Sequence, residues 1–286
     1  MTKTAMMISP HADDAAAFCG GTLAKHAALG WRLVIVRVTD DCRDSAGLTL
    51  EETKKRNAEQ FIEAAKILGA SEVVELGYET DCLADVSLVG LRERFVYLFR
   101  KHRPYSVFSF DPYGRWEDNM DHLRVARAVY EALWVSAFDL HHPEHFKEGL
   151  EPVSVVERWF FGRELPRITH LEDISDHLPA KIDALCAHRE MVKNMFNRFN
   201  LQVRAWGRRA PFLEAARAGE YRGLIQAFLT EQAGETASRG GLGEGRMGEA
   251  FRLERFGELE GLFRLFTEPI PGIEPVKRSS LDPQDE

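Results

Sequence analysis

Hydrophobic positions in the first half of the chain alternate between short unbroken runs and longer stretches with helical spacing. The short runs predict buried strands, because apolar and β-branched segments of this length are typical of a parallel sheet. These strands are predicted at residues 4–8, 33–38, 73–76 and 105–110. The longer stretches place apolar residues on one helical face and predict helices at residues 15–29, 51–68, 88–102 and 121–138.

This alternation predicts an α/β fold with a Rossmann-like parallel sheet, in the strand order 3-2-1-4 and with helices on both faces. Strands that alternate with helices of this length are joined by right-handed crossovers. In that order the first and fourth strands are neighbours at the switch point of the sheet. Ligands bind in the crevice beyond the carboxyl ends of the strands at such a point.

The second half of the chain is less regular. Residues 155–161 resemble a strand. The glycine-rich stretch 234–248 follows no predicted strand, so we expect a mobile loop, lid or linker rather than a nucleotide-binding turn. We expect a single domain over residues 1–286, with a core of about residues 1–200 and a C-terminal helical and loop extension over about residues 201–286, which ends in a frayed polar tail. Helices are predicted at residues 176–199, 211–217 and 220–232.

Composition and charge narrow the class of protein. Hydrophobic residues make up 44% and charged residues 29% of the 286 positions, which is enough for a sizeable core. The net charge of −8 argues against a nucleic-acid partner, which would require a basic face. No apolar run approaches the ~18 residues that cross a bilayer, and Pro10 interrupts the N-terminal segment too early for a signal peptide. Four scattered cysteines predict reduced thiols, so we expect a cytoplasmic protein without a membrane partner.

The candidate chemistry lies in the two segments that follow strands 1 and 4. His11 and Asp14 follow strand 1, and the loop after strand 4 brings His122 over the same crevice. Two imidazoles and one carboxylate, with further positions open, are typical of a catalytic zinc or iron(II) site. Asp13 need not bind metal and is a candidate base for a water molecule activated there. Asp121, next to His122, is a candidate to orient either a histidine or Asp13.

Several of these residues also have structural interpretations. Asp13 and Asp14 are of a type favoured at helix starts, where either could cap the first helix. Close packing explains Gly20–Gly21 better than phosphate binding, because no lysine follows as in a P-loop. Arg56 has two equal interpretations, an ion pair with Glu59 on the same helix or a contact with substrate.

Two groups of aromatic and histidine residues are also open to more than one interpretation. Tyr113 and Trp116, in the loop after strand 4, either stack on a sugar ring or pack the loop itself. A second metal site is one interpretation of the cluster His141, His142 and His145. A solvated loop is the better one, because no strand frames the cluster.

The segments around the candidate ligands resemble the LmbE/PIG-L family of zinc-dependent N-deacetylases. The family pattern is a strand, HPDDE, a helix containing GGT and a later HPDH, and this chain reads PHADDAAAFCGGTLAKH and then NMDH. Thr39–Asp40, Leu76–Tyr78 and Asp111–Pro112 also fit the family, as do the late segments 181–188 and 248–252. The overall length and the DPY loop look closest to the diacetylchitobiose-deacetylase-like branch.

The resemblance implies a function and roles for particular residues. His11, Asp14 and His122 would ligate one Zn²⁺, with Fe²⁺ or another divalent ion as alternatives, and Asp13 would be the general base. The substrate would be a small N-acyl amino sugar, and the protein would form a homo-oligomer. His188, in the late family segment, would line the substrate site.

Several positions depart from the family pattern, among them Arg189–Glu190, which stand where Ser-Gln usually follows the late histidine. Ala15 replaces the glutamate of HPDDE, and Asn119 replaces the first histidine of HPDH, which in relatives helps to stabilise the oxyanion. An asparagine amide can still donate one hydrogen bond there, and His188 and Arg115 are candidates for the same oxygen. The departures motivate an alternative, in which the protein is a catalytically weak relative that acts as a sugar-binding or scaffold subunit.

An iron(II) oxygenase is a third and less favoured function. His11, Asp13 and a distant histidine match the facial triad of such enzymes. Oxygenases with that motif resemble all-β jelly rolls, and the strand–helix alternation argues against one. The sequence therefore predicts a metal-dependent hydrolase that removes an acetyl or other acyl group from an amino sugar or a related small N-acyl molecule.

Overall fold

The computed structural model of the protein describes residues 2–256, 259–268, 270 and 271. Within these residues, seven strands form one sheet in the order β3-β2-β1-β4-β5-β7-β6. The strands are β1 Thr4–Ser9, β2 Arg32–Thr39, β3 Glu72–Tyr78, β4 Ser106–Phe110, β5 Glu157–Phe161, β6 His170–Asp173 and β7 Gly248–Arg255. The α-helices are α1 Asp14–Ala28, α2 Leu50–Ile67, α3 Leu88–His102, α4 Met120–Val135, α5 Leu178–Ala187, α6 Arg189–Ala205, α7 Pro211–Arg217, α8 Arg222–Gly240 and α9 Glu260–Phe266.

The sheet has a parallel part and an antiparallel part. Strands β1 to β5 run parallel, while β7 pairs antiparallel with both β5 and β6. The predicted order 3-2-1-4 is therefore confirmed. In the interior strand β1, Ala5 and Met7 join one buried hydrophobic cluster and Met6 and Ile8 join another. Successive residues of a strand point to opposite faces, so both faces are covered, as predicted.

Local signals set the ends of the early helices. Helix α2 begins with a capping box: the Thr49 side chain accepts a hydrogen bond from the N–H of Glu52, and the Glu52 side chain accepts one from the N–H of Thr49. Helices α1 and α2 are followed by Gly30 and Gly69, whose φ angles of 82° and 81° are in the left-handed region. These ends agree with the predicted helices to within a residue or two.

The predicted long helix over residues 176–199 is wrong, because it breaks at His188. The backbone there has ψ of 60°, which ends α5 and starts α6. The N–H of Glu190, which would bond within a continuous helix, donates instead to Gln60 Oε1 of α2 at 3.0 Å. A tertiary contact rather than a local sequence signal therefore accompanies the break.

Two glycines lie at very close approaches between elements. A Cβ atom on Gly21 would lie 2.7 Å from the side chain of Ile174, and one on Gly240 would lie 1.7 Å from Leu171. Both distances are far below van der Waals contact, so only glycine fits at these positions. The close-packing interpretation of the glycine pair is confirmed at Gly21. The prediction of a loop over residues 234–248 is wrong for its first half, since α8 continues to Gly240.

Strands β6 and β7 are absent from the sequence-based prediction. Strand β7 follows the glycine-rich segment directly and carries four charged residues in eight positions. Strand β7 pairs with β5 and β6, which are distant in sequence, so no local pattern predicts it. The polar tail predicted to be frayed, residues 274–286, lies outside the described residues. No helix in the described part of the chain is long and apolar enough to cross a membrane.

Candidate metal centre

The side chains of His11, Asp14 and His122 meet beyond the carboxyl ends of β1 and β4. His11 Nδ1 lies 3.0 Å from His122 Nε2. The Asp14 carboxylate lies 3.5 Å from His11 Nδ1 and 3.3 Å from His122 Nε2. All three side chains are buried. Ligand atoms of a tetrahedral zinc ion lie roughly 3.3 Å apart, given metal–ligand distances of about 2.0 Å, so this donor set fits a divalent cation.

Each histidine has a carboxylate behind its second ring nitrogen. His11 Nε2 lies 3.4 Å from Asp121 Oδ2, and His122 Nδ1 lies 3.0 Å from Glu117 Oε2. Carboxylates in this position fix the tautomer and the ring orientation of metal-binding histidines. Asp121, whose partner the sequence left open, therefore contacts His11. Glu117 is a functional candidate that the sequence analysis missed.

These two carboxylates are themselves held in place. Asp121 accepts hydrogen bonds from the N–H groups of Asp81 and Leu83, at 2.7 and 3.2 Å, in the turn after β3. Glu117 lies 3.3 Å from Nε of Arg163, beyond the end of β5. The orientation of the two imidazoles therefore depends on segments outside those that carry His11, Asp14 and His122.

The surrounding carboxylates raise the pKa values of both histidines. Burial lowers the pKa of His11, but its contacts with Asp121 and Asp14 outweigh this effect, and the pKa lies well above its usual value. Burial likewise opposes the effects of Asp14 and Glu117 on His122, whose pKa is raised to about 9. Metal ligation requires neutral imidazoles, so cation binding would displace protons from both rings and strengthen with rising pH.

Asp13 lies beside the three converging side chains without being one of them. Burial, and then the negative charge of Asp14, raises the pKa of Asp13 to about 7. A carboxyl group with a pKa near neutrality is suited to take up and return a proton. The alternative of a capping role is not supported, since the Asp13 side chain makes no capping hydrogen bond to the described start of α1. Ser9 meets that helix start instead, with its Oγ accepting from the N–H of Ala15 at 3.2 Å.

Further carboxylates surround His11 on its other sides. Asp41 and Asp44 form one group with His11, and Asp81 and Asp121 form another. Burial raises the pKa of Asp41 and that of Asp44 to about 7. Carboxyl groups are therefore concentrated around His11, which composition alone does not reveal.

The histidine cluster after α4 forms no comparable group. Every set of three metal-binding side chains found among the described residues includes His11. His145 Nε2 lies 2.9 Å from Glu93, and its Nδ1 lies 3.2 Å from the buried guanidinium of Arg100. Both ring nitrogens of His145 therefore contact protein side chains, which favours the interpretation without a second metal site.

The part of the chain that contains His11, Asp14 and His122 is similar to a known protein family. Residues 6–133 match the family model described as PIG-L: GlcNAc-PI de-N-acetylase, and they contain all three converging side chains. This part of the chain is therefore similar to the PIG-L family. The resemblance of the sequence motifs to this family is thereby confirmed.

Two curated proteins that are similar to this chain are named as deacetylases. The chain is 28% identical over 191 residues to the diacetylchitobiose deacetylase of Thermococcus kodakarensis, across 65% of this chain and 69% of the relative. It is 27% identical over 252 residues to the 1D-myo-inositol 2-acetamido-2-deoxy-alpha-D-glucopyranoside deacetylase 1 of Saccharopolyspora erythraea, across 70% and 82%. Among solved structures, the N,N'-diacetylchitobiose deacetylase of Pyrococcus horikoshii shares the fold with a TM-score of 0.70 and 22% identity, and the match covers 93% of this chain and 86% of that chain.

Asn119, which departs from the PIG-L family pattern, caps the helix that carries His122. Its Oδ1 accepts hydrogen bonds from the N–H groups of Asp121 and His122, at 2.8 and 3.3 Å. Within the described residues its Nδ2 group has no hydrogen-bond partner and can still donate. The predicted oxyanion role of Asn119 therefore stays a prediction. Ala15, another departure, is buried in the first turn of α1.

The two predicted substrate arginines have protein partners. Arg56 Nη1 lies 3.0 Å from Glu190 Oε1 of α6, so the alternative pairing with Glu59 is wrong: α6 packs on α2 and presents a nearer carboxylate. Arg115 Nη1 lies 3.6 Å from Glu164, and its side chain is 71% exposed. Neither arginine contacts the metal-binding group among the described residues, and their substrate roles stay predictions.

His188 lies between α5 and α6 and is fully buried. Its Nδ1 has no hydrogen-bond partner in the part of the chain that the structure describes. Burial lowers the pKa of His188 to about 3, although the negative charge of Asp14 acts in the opposite direction. His188 is therefore neutral, and it lies close enough to Asp14 for that charge to affect its pKa. This agrees with a position beside the candidate metal centre.

Proposed function

We propose that this protein is a metal-dependent N-deacetylase that hydrolyses the N-acetyl group of an amino sugar or a related small N-acyl amide. The observation that carries the proposal is the convergence of His11 Nδ1, His122 Nε2 and the Asp14 carboxylate in a domain whose curated relatives are named deacetylases. The proposed ion is Zn²⁺, because two imidazoles and a carboxylate with open positions suit a catalytic zinc site. Fe²⁺ or another divalent ion is the alternative with the same donor set.

The residues around the centre have separable roles in amide hydrolysis. A bound cation would lower the pKa of a water molecule and polarise the acyl carbonyl. Asp13 takes the proton of the attacking water and returns it to the leaving amine, for which its pKa of about 7 is suited. Nδ2 of Asn119 donates a hydrogen bond to the acyl oxygen as that oxygen becomes negative.

The acidic surroundings favour a reaction that releases an amine. Deacetylation converts a neutral amide into an amine, which is protonated near neutral pH. Asp81, and Asp44 in its ionised form, lie near His11 and would stabilise the resulting ammonium group, whereas Asp41 is fully buried and pairs with Arg37. Release of a cationic product is therefore the outcome that the local charge favours.

The alternatives differ in what they require. A catalytically weak relative that binds sugar or acts as a scaffold is favoured by Ala15 and Asn119, which replace two residues of the family pattern. The iron(II) oxygenase hypothesis has lost its structural basis, because the fold is α/β and the carboxylate that converges with the histidines is Asp14, not Asp13.

The test measures metal content and acetate release on the same purified protein. We expect one divalent ion per chain by elemental analysis, and release of acetate from N-acetylglucosamine or diacetylchitobiose. A chelator should abolish the release, and added Zn²⁺ should restore it. Full metal occupancy without acetate release from any N-acyl sugar would reject the deacetylase and support the sugar-binding or scaffold alternative.

A further inference from the structure

A groove on the outer side of α4 is basic although the whole chain carries a net charge of −8. It lies between α3, α4 and β5 and has a volume of about 300 Å³. Arg92 of α3, Arg127 of α4 and Arg158 of β5 line it together with a single carboxylate, that of Glu131. The lining therefore has an excess of two positive charges, and we call it the arginine groove.

Two of these arginines have N–H groups without acceptors. Glu131 lies 2.9 Å from Arg127 and 3.5 Å from Arg92, which leaves the buried Nε of Arg92 unpaired within the described residues. Arg158 is half-buried and has neither a hydrogen bond nor an ion pair to any described side chain. The carboxylate opposite it on β7, Glu254, pairs with Arg252 instead. Unmet donors in a concave, partly buried place indicate that an acceptor comes from outside the chain.

Aromatic side chains complete the lining. Tyr113 and Tyr130 pack edge to face, with ring centroids 5.6 Å apart, and Trp134 follows Tyr130 by one turn on the same face of α4. The Trp134 side chain is 66% exposed although it is large and apolar. Aromatic faces of this kind stack on the ring of a ligand. A volume of about 300 Å³ is at the lower limit of small-molecule sites and suits one sugar ring better than a nucleotide.

We propose that the arginine groove binds a small anionic sugar, meaning a monosaccharide that carries a phosphate or carboxylate group. The guanidinium groups of Arg92 and Arg158 bind the anionic group, which matches their planar donor geometry. The faces of the tyrosines and of Trp134 stack on the sugar ring. The site is separate from the metal centre: Trp134 follows His122 by twelve residues on α4, about 18 Å along the helix axis. The proposal does not rest on the deacetylase activity.

Binding is tested by calorimetry and by Trp fluorescence, with glucosamine 6-phosphate and glucuronate as anionic probes. Glucosamine, inorganic phosphate and adenosine monophosphate are the comparison ligands. We expect both anionic sugars to bind, glucosamine to bind at least tenfold more weakly, and affinity to fall as NaCl rises. Metal-loaded and chelated protein should bind equally, which separates this site from the metal centre. Equal affinity for glucosamine and its phosphate would overturn the proposal, as would tighter binding of inorganic phosphate or of the nucleotide than of the sugar phosphate.

Matched variants locate the binding. Arg158→Gln should weaken glucosamine 6-phosphate binding about tenfold or more, the effect of removing a charge-assisted hydrogen bond. Arg209→Gln is the control, because Arg209 is an exposed arginine whose partner is Glu214, outside the groove. Trp134→Ala should remove the fluorescence response and weaken binding of the sugar more than that of inorganic phosphate. The same thermal midpoint in Arg158→Gln and Arg209→Gln shows that both are folded, and equal affinities in the two would refute the assignment.

Discussion

The first 135 residues and the region after them contribute differently to the candidate metal centre. Strands β1 to β4 and their helices supply His11, Asp14 and His122, and also the neighbouring carboxylates Asp121 and Glu117. The later region supplies none of the converging ligand atoms found among the described residues. Its contribution is to hold the segments that do, and it does so through β7.

Strand β7 contacts both ligand-bearing segments. Helix α1 is kinked at Cys19, and after the kink the N–H groups of Gly21 and Thr22 donate to Glu249 at 3.1 and 2.8 Å. Lys181 of α5 lies 2.6 Å from the same buried carboxylate.

Arg252, three residues further along β7, makes two hydrogen bonds with Asp111, at 2.6 and 3.1 Å. Asp111 begins the loop that leads from β4 to His122. Strand β7 of the later region therefore holds in place both α1, which starts at Asp14, and the loop before His122. The comparison shows that ligands can be local to one half of a fold while their positions depend on the other half.

Removing a ligand should have the largest effect and tests the first region directly. We expect His122→Ala to lose the bound ion and all measurable acetate release, because one of the three proposed ligands is gone. Elemental analysis of the purified variant measures the ion. Full occupancy in His122→Ala would show that the centre is not built from this residue.

Asp13→Asn separates a catalytic role from a ligand role within the same region. We expect the variant to keep its ion and to lose about 100- to 10,000-fold in kcat, because an amide cannot accept the proton of water. Asp14→Asn is the matched control and should lose the ion. If instead Asp13→Asn lost the ion and Asp14→Asn kept it, the two assignments would be exchanged.

Glu249→Gln tests whether the later region positions the centre. The amide keeps the shape of the side chain but leaves Lys181 without its charge partner and weakens the hold on the kink of α1. We expect metal affinity to fall about 10- to 100-fold, as for other residues that orient ligands, together with a lower melting temperature. Glu235→Gln is the control, since Glu235 is an exposed carboxylate of α8 that pairs with Arg239 on the same helix. Unchanged metal affinity in Glu249→Gln would mean that β7 supports the fold only.

The same division explains what could be predicted from the sequence. Strands β1 to β4 and the meeting of His11 with His122 follow from hydrophobic spacing and from the geometry of parallel sheets. Glu249 could not be placed, because its contact with Gly21 spans 228 residues and depends on the antiparallel strand β7. Glu117 was missed for a different reason: its approach to His122 depends on the loop conformation, which includes a positive φ of 59° at Trp116.

His188 belongs to the later region and differs from His11 and His122, the two histidines of the candidate metal centre, in its charge. Burial lowers its pKa to about 3, so the unfolded chain, with a pKa near 6.5, binds the proton more readily. Stability is therefore lost as pH falls below about 6.5, by roughly 2 kcal/mol at pH 5. In His188→Gln we expect a smaller loss between pH 7 and pH 5, measured as the free energy of unfolding in urea. An equal loss in both proteins would show that His188 is not buried as a neutral group.

Substitutions of Asn119 are expected to give the smallest effects. They test whether Asn119 only caps α4, and so positions His122, or also donates a hydrogen bond to the acyl oxygen. Asn119→Ser keeps an oxygen that can cap α4 but removes the amide donor, so we expect unchanged stability and a lower kcat with little change in KM. Asn119→Ala removes both groups and should in addition lose about 1 kcal/mol of stability. Asn119→His introduces the residue of the family pattern, and it should raise kcat while it weakens the cap. If Ser and Ala lower stability alike and leave kcat unchanged, Asn119 only positions His122, and another donor must stabilise the acyl oxygen.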